Sequence, residues 1–309
     1  MRIIITGGTG MIGRELTNRL LTTGHEVIIL TRNPQKNVGL PAGAQLVQWD
    51  ARTADGWGHL ADGADAIINL AGENLAGAGF IPSRWTAERK QRILDSRVNA
   101  GKAVTEAVRA ATHKPAVVIQ ASGTDYYPNG GQHQTETSPI GSSFLSDVVK
   151  QWEASTAAVE EMGVRRVIMR IGPILSMEDG AFTRLVFPFK YLIVGGPLGG
   201  GQQHFPWVHH TDVVRAIEFF LTHPETSGPY NIVATEADTN GTFTKTLGKI
   251  MGRPSFFPVP GFALQLALGE VAALVLEGRQ VSSQKLRAAG FEFDYPTAES
   301  AIRELLGKK

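Results

Sequence analysis

Short, almost wholly apolar runs alternate with longer segments of helical periodicity through roughly the first 175 residues of the chain. The apolar runs are rich in Ile and Val, as expected of strands that are buried on both faces of a parallel sheet. The longer segments repeat apolar residues every three to four positions, which is typical of helices that pack on such a sheet. The pattern predicts strands at RIIIT, HEVIILT, QLVQW, DAIINLA, AVVIQAS and RRVIMRIG, and helices at residues 13–23, 84–111 and 144–162.

This order of elements predicts an α/β fold, in which right-handed crossovers wind helices onto a parallel sheet. We assign residues 1–175 to this first domain, with one helix returning to it from residues 212–223. After Gly172 the chain turns to Gly/Pro-rich loops, which predicts a small C-terminal substrate lobe over residues 176–309. Its longest apolar stretch, residues 262–278, has Gln265 and Glu270 in its interior and is predicted to form a buried or partly amphipathic helix, not a membrane span.

The stretch TGGTGMIG, Thr6 to Gly13, joins the first predicted strand to the first predicted helix. Glycines at three-residue spacing in this context suit a dinucleotide: they allow a tight turn, close approach of backbone to a pyrophosphate, and close packing of helix on strand. The helix N-terminus adds unpaired N–H groups and the positive end of its dipole. The residues predicted to bind the cofactor here are Gly7, Thr9, Gly10, Met11, Ile12 and Gly13.

The second predicted strand ends in Thr31 and Arg32, where a site that prefers NAD usually has an acidic residue for the ribose 2′-hydroxyl. Arg32 offers a charged hydrogen-bonding fork to a 2′-phosphate, and Thr31 offers a hydroxyl. The sequence therefore favours NADP(H) over NAD(H). The alternative is that Arg32 is an ordinary solvated surface side chain.

Two further strand ends are predicted to contact the cofactor. Asp50 closes the third strand where the adenine would lie, although an acidic residue that ends a strand is equally typical of a turn. Leu70, Ala71 and Gly72 follow the fourth strand, where small residues let the backbone lie against the ribose and phosphates on the nicotinamide side. A plain exit from strand to loop would give a similar pattern.

Several motifs together carry a resemblance to a known family. They are TGGTGMIG, NLAGEN, QASGTDYY, RIGPIL, PFKYLIVGGPLGGGQQHFPWVHHTD and the C-terminal segment 255–303. The chain resembles, over essentially its whole length, the nucleoside-diphosphate-sugar-epimerase-like proteins of the extended, atypical short-chain dehydrogenase/reductase superfamily. The resemblance implies a doubly wound Rossmann fold that binds NADP(H), with a substrate that is not established for the subfamily as a whole.

The resemblance adds two residues to the predicted cofactor site. Arg97 occupies a helix position where sugar-active relatives commonly have asparagine, and its side chain has the length to reach a phosphate oxygen. The alternative is an exposed helical arginine. Ile174 follows the strand RRVIMRIG and would pack near the nicotinamide, although an apolar residue at this place would also suit simple core packing.

Active short-chain dehydrogenases resemble one another in a Tyr-x-x-x-Lys pair on the helix after the fifth strand, with Ser or Thr at that strand's end. The strand-end residue is present as Ser122, which we predict to orient a substrate oxygen. The helix has no tyrosine, however: the expected pair falls on Leu145 and Val149, which carry no acid or base. Lys150 is one residue away, about 100° round the helix, and does not replace the missing lysine.

Tyr126 and Tyr127 follow Ser122 closely and are the remaining candidates to move a proton. A tyrosine without an assisting lysine has a pKa near 10, so its ionisation at pH 7 costs about 4 kcal/mol. A general base is therefore poorly supported, whereas the neutral phenol suffices to donate a proton to a carbonyl. The alternative is that both rings only pack the loop.

The predicted lobe holds a second polar cluster, Trp207, His209 and Asp212. Asp212 is predicted to cap the helix that it precedes. His209 titrates in the range useful for acid–base chemistry, but a single histidine beside a strand is more often structural. The glycine-rich residues 195–201 are predicted to form a mobile loop over the pocket, with an ordinary surface loop as the alternative.

Composition narrows the class of protein. Thirty basic and 29 acidic side chains leave no overall field for nucleic acid or an anionic membrane, so any charge recognition must be local. The absence of cysteine excludes disulfides and suits a reducing compartment, and the N-terminus has no leader-like segment, so we expect a cytoplasmic protein. The eight histidines show no metal-binding spacing, and no metal is predicted.

The sequence thus predicts an NADP(H)-dependent oxidoreductase or epimerase-like enzyme that acts on a small carbonyl, alcohol or sugar-like substrate. The competing hypothesis is an NADP(H)-binding sensor or scaffold that catalyses little, because the usual Tyr/Lys pair is absent. The expected partner is a small molecule, not nucleic acid or a membrane, and the sequence leaves a homo-oligomer open.

Overall fold

A computed structural model of the chain describes residues 1–35, 39–77, 79–178, 180–234 and 238–308. Its strands are β1 Arg2–Thr6, β2 Glu26–Thr31, β3 Gln45–Gln48, β4 Ala66–Asn69, β5 Val117–Gly123, β6 Gly130–Gln134, β7 Arg165–Ile171, β8 Ile174–Leu175, β9 Val208–His209, β10 Gly228–Ile232 and β11 Arg279–Val281. Its α-helices are α1 Met11–Thr22, α2 Ala87–Ala110, α3 Phe144–Ala154, α4 Ala158–Glu161, α5 Ala181–Phe187, α6 His210–Thr222, α7 Asn240–Met251, α8 Gly261–Leu268, α9 Ala273–Leu276, α10 Gln284–Ala288 and α11 Ala298–Leu305.

Seven parallel strands form the central sheet, in the order β10-β7-β5-β4-β1-β2-β3. The predicted doubly wound α/β fold is therefore confirmed. The strand order reverses between β1 and β4, and the carboxyl ends of strands at such a reversal border a crevice that binds ligands. Beyond the predicted boundary at residue 175, β10 adds a seventh strand to this sheet, and α6, the helix predicted to return to the first domain, packs against it.

Successive residues of each strand pack alternately into two hydrophobic cores, one on each face of the sheet. Ile3 and Ile5 of β1 pack in the core that contains α1 and α6, whereas Ile4 packs in the core that contains α2. All three side chains are completely buried. Burial on both faces explains why these strands are continuous apolar runs and not alternating ones.

A ladder of buried polar side chains crosses the carboxyl edge of the sheet. Thr6 Oγ1 donates to Asn69 Oδ1 at 2.5 Å, and Asn69 Nδ2 donates to Gln120 Oε1 at 2.9 Å. Gln120 Nε2 in turn donates to the carbonyl of Ala121 at 2.7 Å. Because unpaired buried polar groups are costly, the ladder fixes how the ends of β1, β4 and β5 lie relative to one another.

A third core, built on Phe182, Phe189, Trp207 and Phe243, organises the C-terminal lobe. Trp207 is completely buried and donates its indole N–H to Asp238, so it is structural. The predicted mobile loop, residues 195–201, is tied to residues 254–259 by main-chain hydrogen bonds in both directions. Its mobility stays a prediction.

Two helix predictions for the second half of the chain are wrong in detail. The cap of α6 is His209, whose Nδ1 accepts from the N–H of Thr211 at 3.2 Å, and not Asp212. Asp212 is buried within the first turn, where its carboxylate accepts from the N–H groups of Asp294 at 2.8 Å and Tyr295 at 3.1 Å. This residue thus holds the C-terminal segment against the first domain.

The apolar stretch at residues 262–278 is not one buried helix. Gly269, with a φ of +65°, separates α8 from a short turn and α9. No residue of α8 is buried, although Gln265 is the one polar residue in the helix. The predicted helix at 144–162 is likewise divided, into α3 and α4. Within the described ranges, no helix has the length and apolarity needed to cross a membrane.

We predict that Asp212→Ala lowers the free energy of unfolding by about 3 kcal/mol, because it removes a buried carboxylate that accepts from two main-chain N–H groups and pairs with Arg215. Urea unfolding followed by circular dichroism measures the change. The control is Asp55→Ala on an exposed loop, which should stay within about 0.5 kcal/mol of the wild type. Equal stabilities of the two variants would contradict a tethering role for Asp212.

Candidate cofactor and active site

The glycine loop after β1 is pressed against the end of β4. Gly7 has a φ of +70°, and a Cβ on it would lie 2.7 Å from the carbonyl carbon of Leu70. A Cβ on Gly13 would lie 2.4 Å from the Cα of Gly8. Larger residues at these two positions would collide with backbone, so the loop requires glycine there.

The N-terminus of α1 is open to an anion. Gly10 is the capping residue, no side chain caps the helix, and its first turn contains no acidic residue. The N–H groups of Met11, Ile12 and Gly13 therefore have no side-chain acceptor among the described residues. Thr9 and Gly10 are exposed. Such a terminus favours phosphate through its free donors and its dipole.

The end of β2 places Thr31 and Arg32 beside this loop. Arg32 is exposed and has neither a hydrogen bond nor an ion pair with any residue that the structure describes. Thr31 Oγ1 accepts weakly from the N–H of Asn33 at 3.3 Å. The guanidinium is thus available to a ligand.

Asp50 at the end of β3 holds a turn. Its Oδ1 accepts from the N–H groups of Arg52 at 2.7 Å and Thr53 at 2.9 Å. The hydrogen bond from Thr53 is the largest influence that lowers the pKa of Asp50. The turn alternative therefore describes the conformation seen, and contact with an adenine stays a prediction.

Arg97 is a buried cation without a carboxylate partner among the described residues. It is 8% exposed, lies over the ring of Trp152 and donates from Nη1 to the carbonyl of Ile93 at 3.0 Å. Burial lowers its pKa to about 10, against the opposing charges of Asp125 and Glu73. The guanidinium therefore remains charged at neutral pH, and the alternative of an exposed helical arginine is wrong.

Gly72 marks where this charge meets the strand-end loop. A Cβ on Gly72 would lie 3.0 Å from Cζ of Arg97, so the backbone after β4 touches the guanidinium. Ala71 is held by its N–H, which donates to Thr6 Oγ1 at 3.2 Å. Ile174 is half-buried in β8, beside the first core. The structure thus brings Arg97, the glycine loop and the end of β4 together.

The hydroxyl of Ser122 belongs to a buried ionic network. Ser122 Oγ donates to Glu153 Oε1 at 2.6 Å. Arg170 binds the same carboxylate with both arms, Nε to Oε1 at 2.9 Å and Nη2 to Oε2 at 3.0 Å. Although burial acts to lower the pKa of Arg170, the hydrogen bond and charge of Glu153 raise it above its usual value. The hydroxyl proton of Ser122 is therefore committed to Glu153, and the orientation of a substrate oxygen by Ser122 stays a prediction that only the lone pairs of Oγ can serve.

Tyr127 is a structural residue, which corrects its prediction as a proton donor. Its side chain is completely buried, and its hydroxyl donates to Asn231 Oδ1 at 2.6 Å while it accepts from Arg170 Nη1 at 3.0 Å. Burial raises the pKa of Tyr127 to about 12. The phenol is therefore neutral, already paired and closed to a substrate.

Tyr126 is placed differently. Its ring is half-buried, and the guanidinium carbon of Arg170 lies 3.4 Å from the ring centroid. Its hydroxyl makes no hydrogen bond with the described residues. Of the two predicted tyrosines, only Tyr126 has a phenol free to meet a substrate.

The helix that lacks the expected pair has an apolar face at these positions. Leu145 and Val149 are buried, and Leu145 packs with Trp85 and Val271. Lys150 is exposed, as its position on the helix predicts. No acid or base therefore takes the place of the tyrosine or the lysine on α3.

Sequence reasoning missed Glu153, Arg170 and Arg279 as parts of the site. Arg279 is buried and donates from Nη1 to Asp125 Oδ1 at 2.8 Å, so the C-terminal lobe reaches the loop after β5. A signal existed for two of them. Arg170 interrupts the apolar run that follows Arg166, and Glu153 shares a helix face with Leu145 and Val149 at four-residue spacing.

His209, His210 and Glu304 lie close enough together to suggest a metal site. His209 Nδ1 accepts a backbone N–H, so the ring proton lies on Nε2, which faces Glu304 at 2.9 Å. A metal on Nε2 would require that proton to leave and the ring to become an imidazolate, which neutral histidine ligands avoid. The cluster therefore does not suit a metal, and burial lowers the pKa of His209, which makes it a neutral structural residue.

A cavity of about 680 Å³ adjoins the start of α1. Its lining includes Met11, Arg14, Glu15, Ser176 and His210. This volume is in the range of small-molecule sites. It shares Met11 with the open helix terminus, so the cavity continues the predicted phosphate site.

Comparison with known proteins agrees with the resemblance drawn from the motifs. The chain matches the NAD dependent epimerase/dehydratase family over residues 3–233 and a domain of unknown function over residues 259–305. It is 37% identical over 309 residues to an epimerase family protein of Staphylococcus haemolyticus, SH2119, with 99% of both chains covered.

Two solved structures are similar over nearly all of this chain. The human epimerase family protein SDR39U1, described with NADPH, is 31% identical with a TM-score of 0.87, and the match covers 100% of both chains. The nucleoside-diphosphate sugar epimerase of Corynebacterium glutamicum is 30% identical with a TM-score of 0.77, over 99% of this chain and 58% of that one.

We predict that the Glu15–His210 pair adds pH-dependent stability. Burial opposes it, but the hydrogen bond and charge of Glu15 raise the pKa of His210, and those of His210 lower the pKa of Glu15. The contribution of His210 to the free energy of unfolding is complete below the pKa of 6.5 that it has in the unfolded chain. It is lost as the pH rises through the raised pKa of the folded state. The glutamate contribution is present above 4.5 and is lost as pH falls through the lowered pKa.

Glu15→Gln should therefore destabilise the protein most between about pH 4.5 and 6.5, by about 1 kcal/mol because both groups are partly exposed. Urea unfolding across pH 4 to 9 measures the difference. The control is Glu26→Gln, which removes an exposed partner of Arg2. Its effect on the free energy of unfolding should not decrease above pH 6.5. A Glu15→Gln effect that is constant from pH 5 to 9 would contradict the pairing.

Proposed function

The chain belongs to the NAD dependent epimerase/dehydratase family, and we propose that within it the protein is an NADP(H)-dependent oxidoreductase or epimerase-like enzyme. The family as a whole uses nicotinamide cofactors, so the proposal concerns the choice of NADP(H) and the chemistry at this chain's own residues. The substrate class is a small carbonyl, alcohol or sugar-like molecule. When bound, NADP(H) supplies or accepts the hydride.

The observation that carries the cofactor proposal is the free guanidinium of Arg32 at the end of β2, where no carboxylate stands in its place. An acid there would accept from a 2′-hydroxyl and repel a 2′-phosphate, whereas an arginine attracts the phosphate. The structural relative SDR39U1 is described with NADPH, which supports the same choice.

The charges around the glycine loop fit a pyrophosphate. The open N-terminus of α1 offers N–H groups without a side-chain acceptor, and Arg97 is a buried cation that forms no ion pair with a described carboxylate. An unpaired buried charge is costly, and an anionic ligand beside Gly72 would relieve that cost. We assign the phosphates to α1 and Arg97 together.

Proton transfer falls to Tyr126 in this proposal. Of the two tyrosines, Tyr126 has the phenol that no described residue engages, and the guanidinium of Arg170 packs on one face of its ring. Ser122, whose proton is held by Glu153, can only accept a hydrogen bond from a substrate hydroxyl. Reduction of a carbonyl needs only a neutral donor, so these residues suit reduction better than oxidation.

A sensor or scaffold role is the second candidate, and one observation favours it. The face of α3 that should carry the tyrosine and lysine is buried and apolar at Leu145 and Val149. A protein that only binds NADP(H) would tolerate this loss. The two candidates differ in turnover, which the second experiment below measures.

Arg32→Ala should weaken NADPH binding about 10- to 100-fold, the worth of one or two charged hydrogen bonds, and leave NADH binding unchanged. Fluorescence titration of both cofactors measures the ratio of dissociation constants. Arg109→Ala on the exposed side of α2 removes the same charge elsewhere and should leave the ratio unchanged. Equal affinities of the wild type for NADPH and NADH would refute the assignment.

Tyr126→Phe should lower NADPH turnover against a panel of aldehydes and ketones by about 100-fold or more, with NADPH binding unchanged. Tyr127→Phe is the matched control, because it removes a structural hydroxyl and should lower stability but not the chemical step. If Tyr126→Phe turns over like the wild type, the proton-donor role is wrong. No turnover by the wild type with any carbonyl would favour the scaffold role.

A further inference from the structure

Large apolar side chains are exposed on one part of the C-terminal lobe and the neighbouring loop. Each is between 52% and 77% exposed, well above what a buried core allows. They are Phe80, Ile81, Tyr191, Leu192, Ile193, Phe256, Phe257, Phe262 and Leu266. We call this set the apolar face. Isolated exposed apolar residues are normal, but a contiguous patch of this kind marks an interaction surface.

Contacts between three chain segments make the apolar face continuous. Aromatic rings join two of the segments, since the rings of Phe80 and Phe187 lie 4.8 Å apart and those of Phe187 and Tyr191 lie 4.9 Å apart. Hydrogen bonds to main-chain carbonyls join all three: Arg184 to Gly79 and Phe80, Arg84 to Leu266 and Ala267, and Gly195 to Pro254.

Helix α8 is the centre of this face. Its one polar side chain is that of the exposed Gln265, no residue of it is buried, and Phe262 and Leu266 are 74% and 77% exposed. Arg84 binds carbonyls at its C-terminus, so the helix is fixed in place and not merely unpacked. A helix that presents its apolar side chains outward needs an apolar environment outside the protein.

The charges on these segments all have one sign. Residues 74–86, 180–200 and 252–269 contain four basic residues and no acidic ones: Arg84, Arg184, Lys190 and Arg253. Lys190 and Arg253 are exposed, and neither has an acidic partner among the described residues. The next acid along the chain, Glu270, is paired with Lys90. The surface is thus apolar with an unneutralised positive rim.

We propose that the apolar face docks on the surface of an anionic phospholipid bilayer. The aromatic and leucine side chains of α8 and its neighbours enter the interface between headgroups and acyl chains, and Lys190 and Arg253 lie against lipid phosphates. A second copy of the chain fits less well, because a two-fold interface through this face would oppose basic residues with basic residues. The expectation of no membrane partner rested on the net charge of the whole chain. A net charge near zero does not reveal a local cluster of basic residues.

The test is flotation of the full-length protein with large vesicles of phosphatidylcholine alone or with three parts in ten phosphatidylglycerol. The wild type should float with the anionic vesicles and much less with the neutral ones. Lys190→Gln/Arg253→Gln should weaken binding about 25-fold, roughly five-fold per charge. Phe262→Ser/Leu266→Ser should weaken it at least about 10-fold, because two apolar side chains no longer enter the bilayer.

The matched control is Lys102→Gln/Arg109→Gln, which removes two exposed charges from α2 and should bind like the wild type. All substituted side chains are exposed, and urea unfolding should show wild-type stability for each variant. Absence of wild-type flotation with anionic vesicles overturns the proposal, as does flotation that neither double variant reduces. A dimer in sedimentation analysis that Phe262→Ser/Leu266→Ser abolishes, without vesicle binding, assigns the face to a second copy and also overturns it.

Discussion

The buried pair between Arg170 and Glu153 is the interaction on which the rest of the site depends. Both charges are almost completely buried, so each needs the other: removal of one partner from such a pair typically costs about 3–5 kcal/mol. The pair joins β7 to α3, and through Tyr127 and Asn231 it reaches β10, the strand that the second half of the chain adds to the sheet. One ionic contact therefore connects the two halves of the protein at the end of β5.

The same pair decides which chemistry is left at this edge of the sheet. It takes the proton of Ser122 and one face of the Tyr126 ring, and it binds the hydroxyl of Tyr127. Groups that would act on a substrate in a site with a helix-borne tyrosine and lysine are here used to satisfy buried charge. The hydroxyl of Tyr126 has no partner among the described residues, and its ring is positioned by a cation that cannot move without leaving Glu153 without its ionic partner.

The cofactor side of the crevice follows a different principle. There the groups are left unsatisfied: α1 has no side-chain cap, Arg32 has no described partner, and Arg97 is bonded to a carbonyl but forms no ion pair with a described carboxylate. Unpaired donors and cations at the ends of β1, β2 and β4 indicate an anionic ligand that the folded chain is built to receive. The paired charges of Arg170 and Glu153 thus position side chains at the end of β5, whereas Arg32 and Arg97, without such pairs, are available to an anionic ligand.

The sequence by itself determined the parallel sheet, the order of its first strands and the glycine loop, because strand burial on both faces and the sterics of Gly7 and Gly13 are local requirements written in residue type and spacing. Only the tertiary structure decided which polar residues are free. Tyr126 and Tyr127 are neighbours with the same chemistry. For Arg32 at the end of a strand and Arg97 in a helix, the sequence pattern does not distinguish an exposed side chain from a buried one. Their roles separate because burial and the choice of partner depend on residues distant along the chain, such as Glu153, Asn231 and Trp152. The exposure of α8 was likewise invisible to an apolar pattern, which predicts burial without saying what covers it.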